Sequence, residues 1–227
     1  MPHPSFAINE IGGVGPLSDL ELLNVPKTLY AAGAIYALEE DARVAIVGTS
    51  DPSHSAWDLA WRLGASLRRR SNVVTGGTIG VQTAARKAAF IHGSRWIAVL
   101  PTPINERIPE ETGEGWRYDK WPCLMLSPYP PGMTRDERNP LLQAYAMAVL
   151  SDATVIIDAR DGSRAVAQGW EALRIGRPVF IPKKTLKIPG LKWPERMLER
   201  GARVLDNRKF KDLFDILPSR YECEIPF

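Results

Sequence analysis

Cysteine is scarce in this chain of 227 residues: there are two, Cys123 and Cys223. Far apart in sequence, they give neither a disulfide framework nor the paired spacing of a structural metal site. Histidine is nearly as rare. His3, His54 and His92 are not spaced as ligands, which argues against a zinc centre. No apolar run approaches membrane-spanning length, and the N-terminus lacks a basic stretch followed by an apolar core. A cytoplasmic protein without a membrane partner is expected. Neither sign of charge dominates either. With 29 Lys and Arg against 26 Asp and Glu, the net charge is +3, so anion binding has to come from placed groups rather than bulk charge. No internal repeat or low-complexity tract is visible.

What is present is enough apolar residue, 44%, to bury a full core without staples. Val44–Ser50 reads as a buried strand. Ser55 and Asp58 have capping-box spacing, and Leu59, Leu63 and Leu67 recur every four residues, so a helix starts near Ser55. Further strands are expected near Val73, at Trp96–Leu100, Cys123–Leu126, Thr154–Ile157 and Val179–Ile181. One helix has Asn139 as its N-cap and Pro140 at its first position, and runs to about Leu150. It is apolar almost all round, as a buried or interfacial helix is. Another starts at Ser163, ends at Gly176 and is closed by Pro178. Strands nearly continuous in apolar residues, alternating with helices, predict an α/β, Rossmann-like fold: a mostly parallel sheet with helices on both faces, in a single domain. The expected organisation is an N-terminal extension over 1–40 packing on a core over 41–184. Residues 185–227 form a short helical tail, with helices near Pro194–Arg200 and Arg208–Leu217.

In such sheets ligands bind beyond the carboxyl ends of the strands, where chain order reverses. Three turns fall there. The most informative is Gly76-Gly77-Thr78-Ile79-Gly80, between a β-branched strand and a helix. Glycines leave no Cβ between backbone N–H groups and a ligand, and the helix adds unpaired donors and a positive dipole end. The GGxxG spacing is neither the dinucleotide nor the P-loop fingerprint, so a turn that binds nothing stands beside the phosphate socket. The second turn is Gly48-Thr49-Ser50, and the third contains Gly162 and Ser163. Cations sit nearby. Arg68-Arg69-Arg70 reads as a solvated helix end. Arg86 or its neighbour Lys87 is placed to flank the mouth of the socket, and Lys183 and Lys184 follow a strand end. Arg138, next to the Asn139 cap, is placed either to hold a phosphate or to pair with a carboxylate such as Asp136. The stretch from Pro101 to Arg138 holds seven prolines with Trp116 and Trp121, and long irregular connections of this kind are often functional.

Read in order, the blocks LYAAGAIYALEEDARVAIVGTSDPS, VVTGGTIGVQTAARKAAF, WIAVLP, LSPYPPGM, RNPLLQAYAMAVLSDATVIIDA and GSRAVAQGWEALRIGRPVFIPKK resemble the core of the DNA-processing protein A (DprA/Smf) family. The similarity covers roughly Val25 to Lys184. It implies a Rossmann-like domain that binds single-stranded DNA, forms a homodimer and hands the strand to a RecA-type recombinase. Against the family's Gly-Ser/Thr-Arg, this chain has Gly48-Thr49-Ser50. Its Ser-Gly-x-Ala-x-Gly-Ile-Asp appears as Thr75-Gly76-Gly77-Thr78-Ile79-Gly80-Val81-Gln82, and its Arg-Asn-Arg as Arg138-Asn139-Pro140. The short tail is expected to hold no counterpart of the family's C-terminal winged-helix module.

The wider superfamily resembles lysine-decarboxylase-like phosphoribohydrolases and nucleotide-sensing domains. The hydrolases carry Pro-Gly-Gly-x-Gly-Thr-x-x-Glu. The matching place here runs from Asp158 to Val166, and Val166 stands where the glutamate belongs. Valine does no acid–base work. Ser127 and Ser163 lack a histidine in a recognisable triad order. The expectation is therefore a non-catalytic protein, without cofactor or metal, that binds single-stranded DNA through phosphate contacts. The alternatives are a small-nucleotide sensor and a phosphoribohydrolase-like enzyme.

Overall fold

A computed structural model describes residues 4–10, 17–38, 42–68, 71–104, 123–134, 136–206 and 208–218. Arg69, Arg70, Trp116, Trp121 and Cys223 lie outside the described residues.

The described chain runs β1 (Ser5–Ala7), α1 (Asp19–Leu22), β2 (Thr28–Gly33), β3 (Ala42–Gly48), α2 (His54–Ser66), β4 (Ser71–Thr75), α3 (Val81–Ile91) and β5 (Trp96–Val99). It continues with β6 (Cys123–Ser127), α4 (Leu141–Leu150), β7 (Ala153–Ile157), α5 (Arg164–Arg174), β8 (Val179–Pro182), α6 (Trp193–Glu199), β9 (Arg203–Leu205) and α7 (Lys211–Phe214). The strands form one sheet in the order β1-β2-β6-β5-β4-β3-β7-β8-β9. From β6 to β9 every pairing is parallel. β2 runs antiparallel to β6, and β1 antiparallel to β2. This is the mostly parallel α/β, Rossmann-like sheet that the alternating apolar segments predict.

Parallel strands with right-handed crossovers place helices on both faces. Alternation along each strand divides the core accordingly. Ala45 and Val47 of β3 join Val74, Ile97 and Val99 under α4, α5 and α6. Val44 and Ile46 join Val73, Trp96 and Ala98 under α2 and α3. The apolar helix α4 belongs to the core: Ala146, Met147, Ala148, Val149 and Leu150 are all buried. Each large aliphatic side chain hidden in this way contributes roughly 1.5–3 kcal/mol before ordering entropy is counted.

Helix starts follow local chemistry, with small shifts from expectation. Ser53, not Ser55, caps α2, its Oγ accepting the Ala56 N–H at 3.3 Å. α4 starts one residue later than expected, with Pro140 rather than Asn139 at its N-cap, and Asn139 Oδ1 accepts the Leu141 N–H at 3.0 Å in the turn ahead of it. Ser163 caps α5 as its sequence predicts, and Gly176 takes the positive φ of 76° that ends it.

Chain order reverses between β3 and β7. From β3 the chain steps outward through β4, β5 and β6, and then returns to β7 on the other side. That reversal opens a crevice beyond the carboxyl ends of β3 and β7.

Candidate functional site

A cleft of about 700 Å³ occupies this crevice. Its walls are the β3–α2 turn with Gly48, Thr49 and Ser50, the β4–α3 turn with Gly76, Gly77 and Thr78, and the β7–α5 turn with Arg160, Ser163 and Arg164. α4 contributes Gln143 and Met147 from above. Three segments far apart in sequence thus meet because three adjacent parallel strands end side by side.

Hydrogen bonds lock the turns to one another. The Thr49 N–H donates to Asp158 O at 2.9 Å, and Thr49 O accepts the Val81 N–H at 3.1 Å. Asp158, at the end of β7, is the one non-glycine residue with positive φ among those described, at 49°. Its carboxylate accepts the Ser53 N–H at 3.4 Å. The N-terminus of α2 therefore already faces a carboxylate from within the chain.

The glycine turn is braced by two buried amides. Gln82 Oε1 accepts the Gly76 N–H, so Gly76 does not present that donor to a ligand. Gln143 Nε2 donates to Gly76 O at 2.8 Å and to Val99 O at 2.6 Å. Thr83 Oγ1 donates to Thr78 O at 3.2 Å. Among the described residues, no hydrogen bond uses the N–H groups of Gly77, Thr78 or Ile79. These are the donors the cleft offers, just ahead of the α3 dipole. Gly77 has φ 69°, and a Cβ there would meet Leu100 Cδ2 at 3.2 Å. Gly80 has a different task. A Cβ on it would come within 2.4 Å of Thr49 O, so it allows the β3–α2 and β4–α3 turns to touch, and it does not line the cleft.

Two arginines the sequence reading passed over stand at the other wall. Arg160 and Arg164 are exposed and line the cleft. Arg164 donates to Gln143 Oε1 at 3.4 Å, and among the described residues neither arginine pairs with a carboxylate. Gln168 also lines the cleft. It is 1% exposed and its Nε2 has no hydrogen-bond partner among the described groups. An unpartnered buried amide donor costs about 1–3 kcal/mol, which a ligand acceptor recovers. A signal for Arg160, Arg164 and Gln168 existed in their spacing along the β7–α5 turn and the first turns of α5.

The remaining sequence candidates lie elsewhere. Arg86 points from α3 to the Trp96 ring, with its guanidinium carbon 5.2 Å from the centroid. Lys183 pairs with Asp206 at 3.4 Å, and Lys184 is exposed beside it, both outside the cleft lining. Arg138 donates to Met133 O at 2.9 Å, so a carbonyl rather than Asp136 receives that donor. Asn139 sits in the turn ahead of α4, and its carbonyl accepts the Tyr129 hydroxyl at 2.8 Å. Burial pushes the Tyr129 phenol up against the opposing pull of Arg164 and Arg138, which keeps it a neutral donor. Gly162 opens onto a neighbouring groove, with φ 74° and nothing within 4 Å of an added Cβ.

The cleft offers backbone N–H donors at Gly77, Thr78 and Ile79 and the guanidinium groups of Arg160 and Arg164. Among the described residues that line it, Asp51 is the sole carboxylate, and none is a histidine, cysteine or lysine. Val166 is buried and faces the neighbouring groove. Glu171 is held by Arg174 at 2.6 Å and by Asn24 at 3.1 Å, away from the cleft. The Ser127 hydroxyl donates to Thr102 O at 2.8 Å and accepts the Tyr129 N–H at 3.0 Å, a structural role. No group of three or more potential metal ligands exists among the described residues, and no helix there is long and apolar enough to cross a membrane.

The family model for DNA recombination-mediator protein A matches residues 16–217. The chain is 22% identical over 196 residues to the DNA processing protein DprA of Bacillus subtilis, covering 86% of this chain and 65% of that relative's length. The X-ray structure of DprA from Streptococcus pneumoniae aligns with a TM-score of 0.74 at 23% identity, covering 96% of this chain and 75% of that one. DNA processing protein A from Helicobacter pylori, a structure concerned with its single-stranded DNA binding mode, aligns at 0.73 and 20% identity, covering 94% and 95%. The two structural likenesses establish the fold.

Proposed function

The chain belongs to the DNA recombination-mediator protein A family, and from that premise we propose that its cleft binds single-stranded DNA through phosphate contacts, without chemistry of its own, in DNA processing and recombination. The observation that carries the proposal is the set of unused backbone donors at Gly77, Thr78 and Ile79, facing Arg160 and Arg164 across one cleft. Donors fixed in a turn ahead of a helix start recognise phosphate without reading sequence. Arginine adds charge-assisted bonds of the strong kind. Support comes also from the Helicobacter pylori relative, whose structure concerns single-stranded DNA binding. The homodimer and the RecA-type partner belong to the same proposal, on the strength of the resemblance.

A second reading has its own observation. A cleft of about 700 Å³ lies within the usual range of roughly 300–1,000 Å³ for small-ligand pockets, and the unpartnered Gln168 amide suits the edge of a base. A free nucleotide held there would make the protein a sensor. A titration with thymidylate oligomers and a panel of mononucleotides at two salt concentrations separates the readings. DNA binding predicts affinity that rises with strand length and falls steeply with salt, because counterion release scales with the phosphates neutralised. Saturation by one mononucleotide, with no gain from longer strands, refutes it in favour of the sensor.

A further inference from the structure

Beside the cleft lies a second groove, of about 460 Å³, between α5 and α6. The two share Ser163, which lines both. The groove contains the half-buried ring of Trp170 and the exposed side chains of Lys192 and Arg196. Among the described residues no carboxylate pairs with either cation. Asp161 also lines the groove, but both its oxygens are engaged, accepting the Lys192 and Trp193 N–H groups at 3.0 and 2.9 Å. Trp193 is buried, and its Nε1 donates to Ala159 O at 2.8 Å. These bonds tie the start of α6 to the turn after β7.

An aromatic face with two unpaired cations is the combination that holds single-stranded nucleic acid, bases stacking on the ring while phosphates meet the charges. Between the two cavities Gly162 leaves open space, with nothing within 4 Å of where a Cβ would lie. Arg160 and Arg164 on the cleft and Lys192 and Arg196 on the groove place cations in both of the cavities that Ser163 joins.

We propose that the α5–α6 groove is a second subsite for the same strand, in which a base stacks on Trp170 while Lys192 and Arg196 contact the flanking phosphates. The inference rests on the reading of the cleft as a DNA site, and extends it by giving the C-terminal helix α6 a part in binding. It makes strand length a determinant of affinity. A strand too short to cross Gly162 occupies one cavity, and a longer one occupies both.

The test measures binding of a thymidylate trimer and a thymidylate dodecamer to the full chain. The variants are Trp170→Ala, Trp170→Phe and the surface pair Lys192→Glu with Arg196→Glu. The last leaves the packed ring untouched, so loss of folding does not confound it. The parent is expected to bind the dodecamer more tightly, with quenching of tryptophan fluorescence. Trp170→Ala and the charge-reversed pair should lose about tenfold in dodecamer affinity, in line with one lost stacked base, and leave the trimer unchanged. Trp170→Phe should keep most of the affinity and lose part of the quench. Folded variants that keep the parent's full gain with length overturn the groove alone. A parent that binds neither oligomer overturns both the groove and the reading of the cleft.

Discussion

Gly77→Asp is the most direct test of the cleft, because it changes charge at the unused donors with little else disturbed. Position 77 has φ 69° and a single neighbour near an added Cβ, Leu100 Cδ2 at 3.2 Å, the end of a flexible side chain. By contrast a Cβ at Gly48 would lie 1.8 Å from Ile157 O, and one at Gly80 2.4 Å from Thr49 O, so variants there report on folding. Asparagine and aspartate both tolerate left-handed backbone, at a cost of about 1 kcal/mol against glycine, or roughly 2–4 °C in melting temperature for a chain of this size. Gly77→Asn therefore isolates the Cβ and its bulk. The added carboxylate of Gly77→Asp then repels a phosphate about 5 Å away by about 3 kcal/mol at an effective dielectric of about 20, which is about a hundredfold in affinity. Fluorescence anisotropy with a thymidylate oligomer measures it, with melting temperature and circular dichroism as controls. A folded Gly77→Asp protein that binds DNA and nucleotides as tightly as Gly77→Asn would refute the placement of the ligand at this turn.

Other expectations follow from the same geometry. Arg164→Ala should weaken DNA binding by about 1–3 kcal/mol. Arg86→Ala, which loses its contact with Trp96, should leave binding intact and cost stability by about 0.5–1 kcal/mol. In a salt titration Lys183→Ala should flatten the slope less than Arg164→Ala, because Asp206 already pairs with the lysine. Incubation with purine or pyrimidine nucleoside monophosphates should release no free base, chromatography being the assay; turnover that Gly77→Asp removes would call for a new acid. Burial pushes the Cys123 thiol from 9.0 up to about 11, with Arg86 pulling the other way. The unfolded chain ionises first, so stability present below pH 9 should fall as pH rises towards 11, and a Cys123→Ala variant should show a shallower fall in melting temperature. Light scattering at tens of micromolar should detect a dimer, and only monomer would count against one.

The parallel core was legible because its signals are local. β3, β5, β7 and β8 are short apolar runs, and Ser163 and Gly176 mark α5 with a cap and a positive-φ stop. The three turns at the strand ends followed from topology alone. Less legible were β2, whose small residues Ala31, Ala32 and Gly33 carry little strand signal, and the three-residue edge strands β1 and β9. Side-chain destinations were least legible. Arg86 stands in the helix after the glycines, yet its phase on α3 sends it to Trp96. Arg164 and Gln143 meet because α4 crosses α5, a contact between residues 21 apart that no local pattern encodes. Gln82 and Gln143 were invisible as braces for the same reason.

Those two amides have a kinetic consequence. A glycine-rich loop left to itself samples many conformations, and freezing each residue costs roughly 1–2 kcal/mol in entropy. Here Gln82 and Gln143 hold Gly76 from both sides before any ligand arrives, so the ordering is complete at the stage of folding. Encounter with a strand then needs no loop closure. Association should proceed in one phase at a rate set by diffusion and charge, slowing with salt but not saturating with ligand concentration. Removing either glutamine brace would shift the site towards induced fit, visible as a slow second phase in stopped-flow traces.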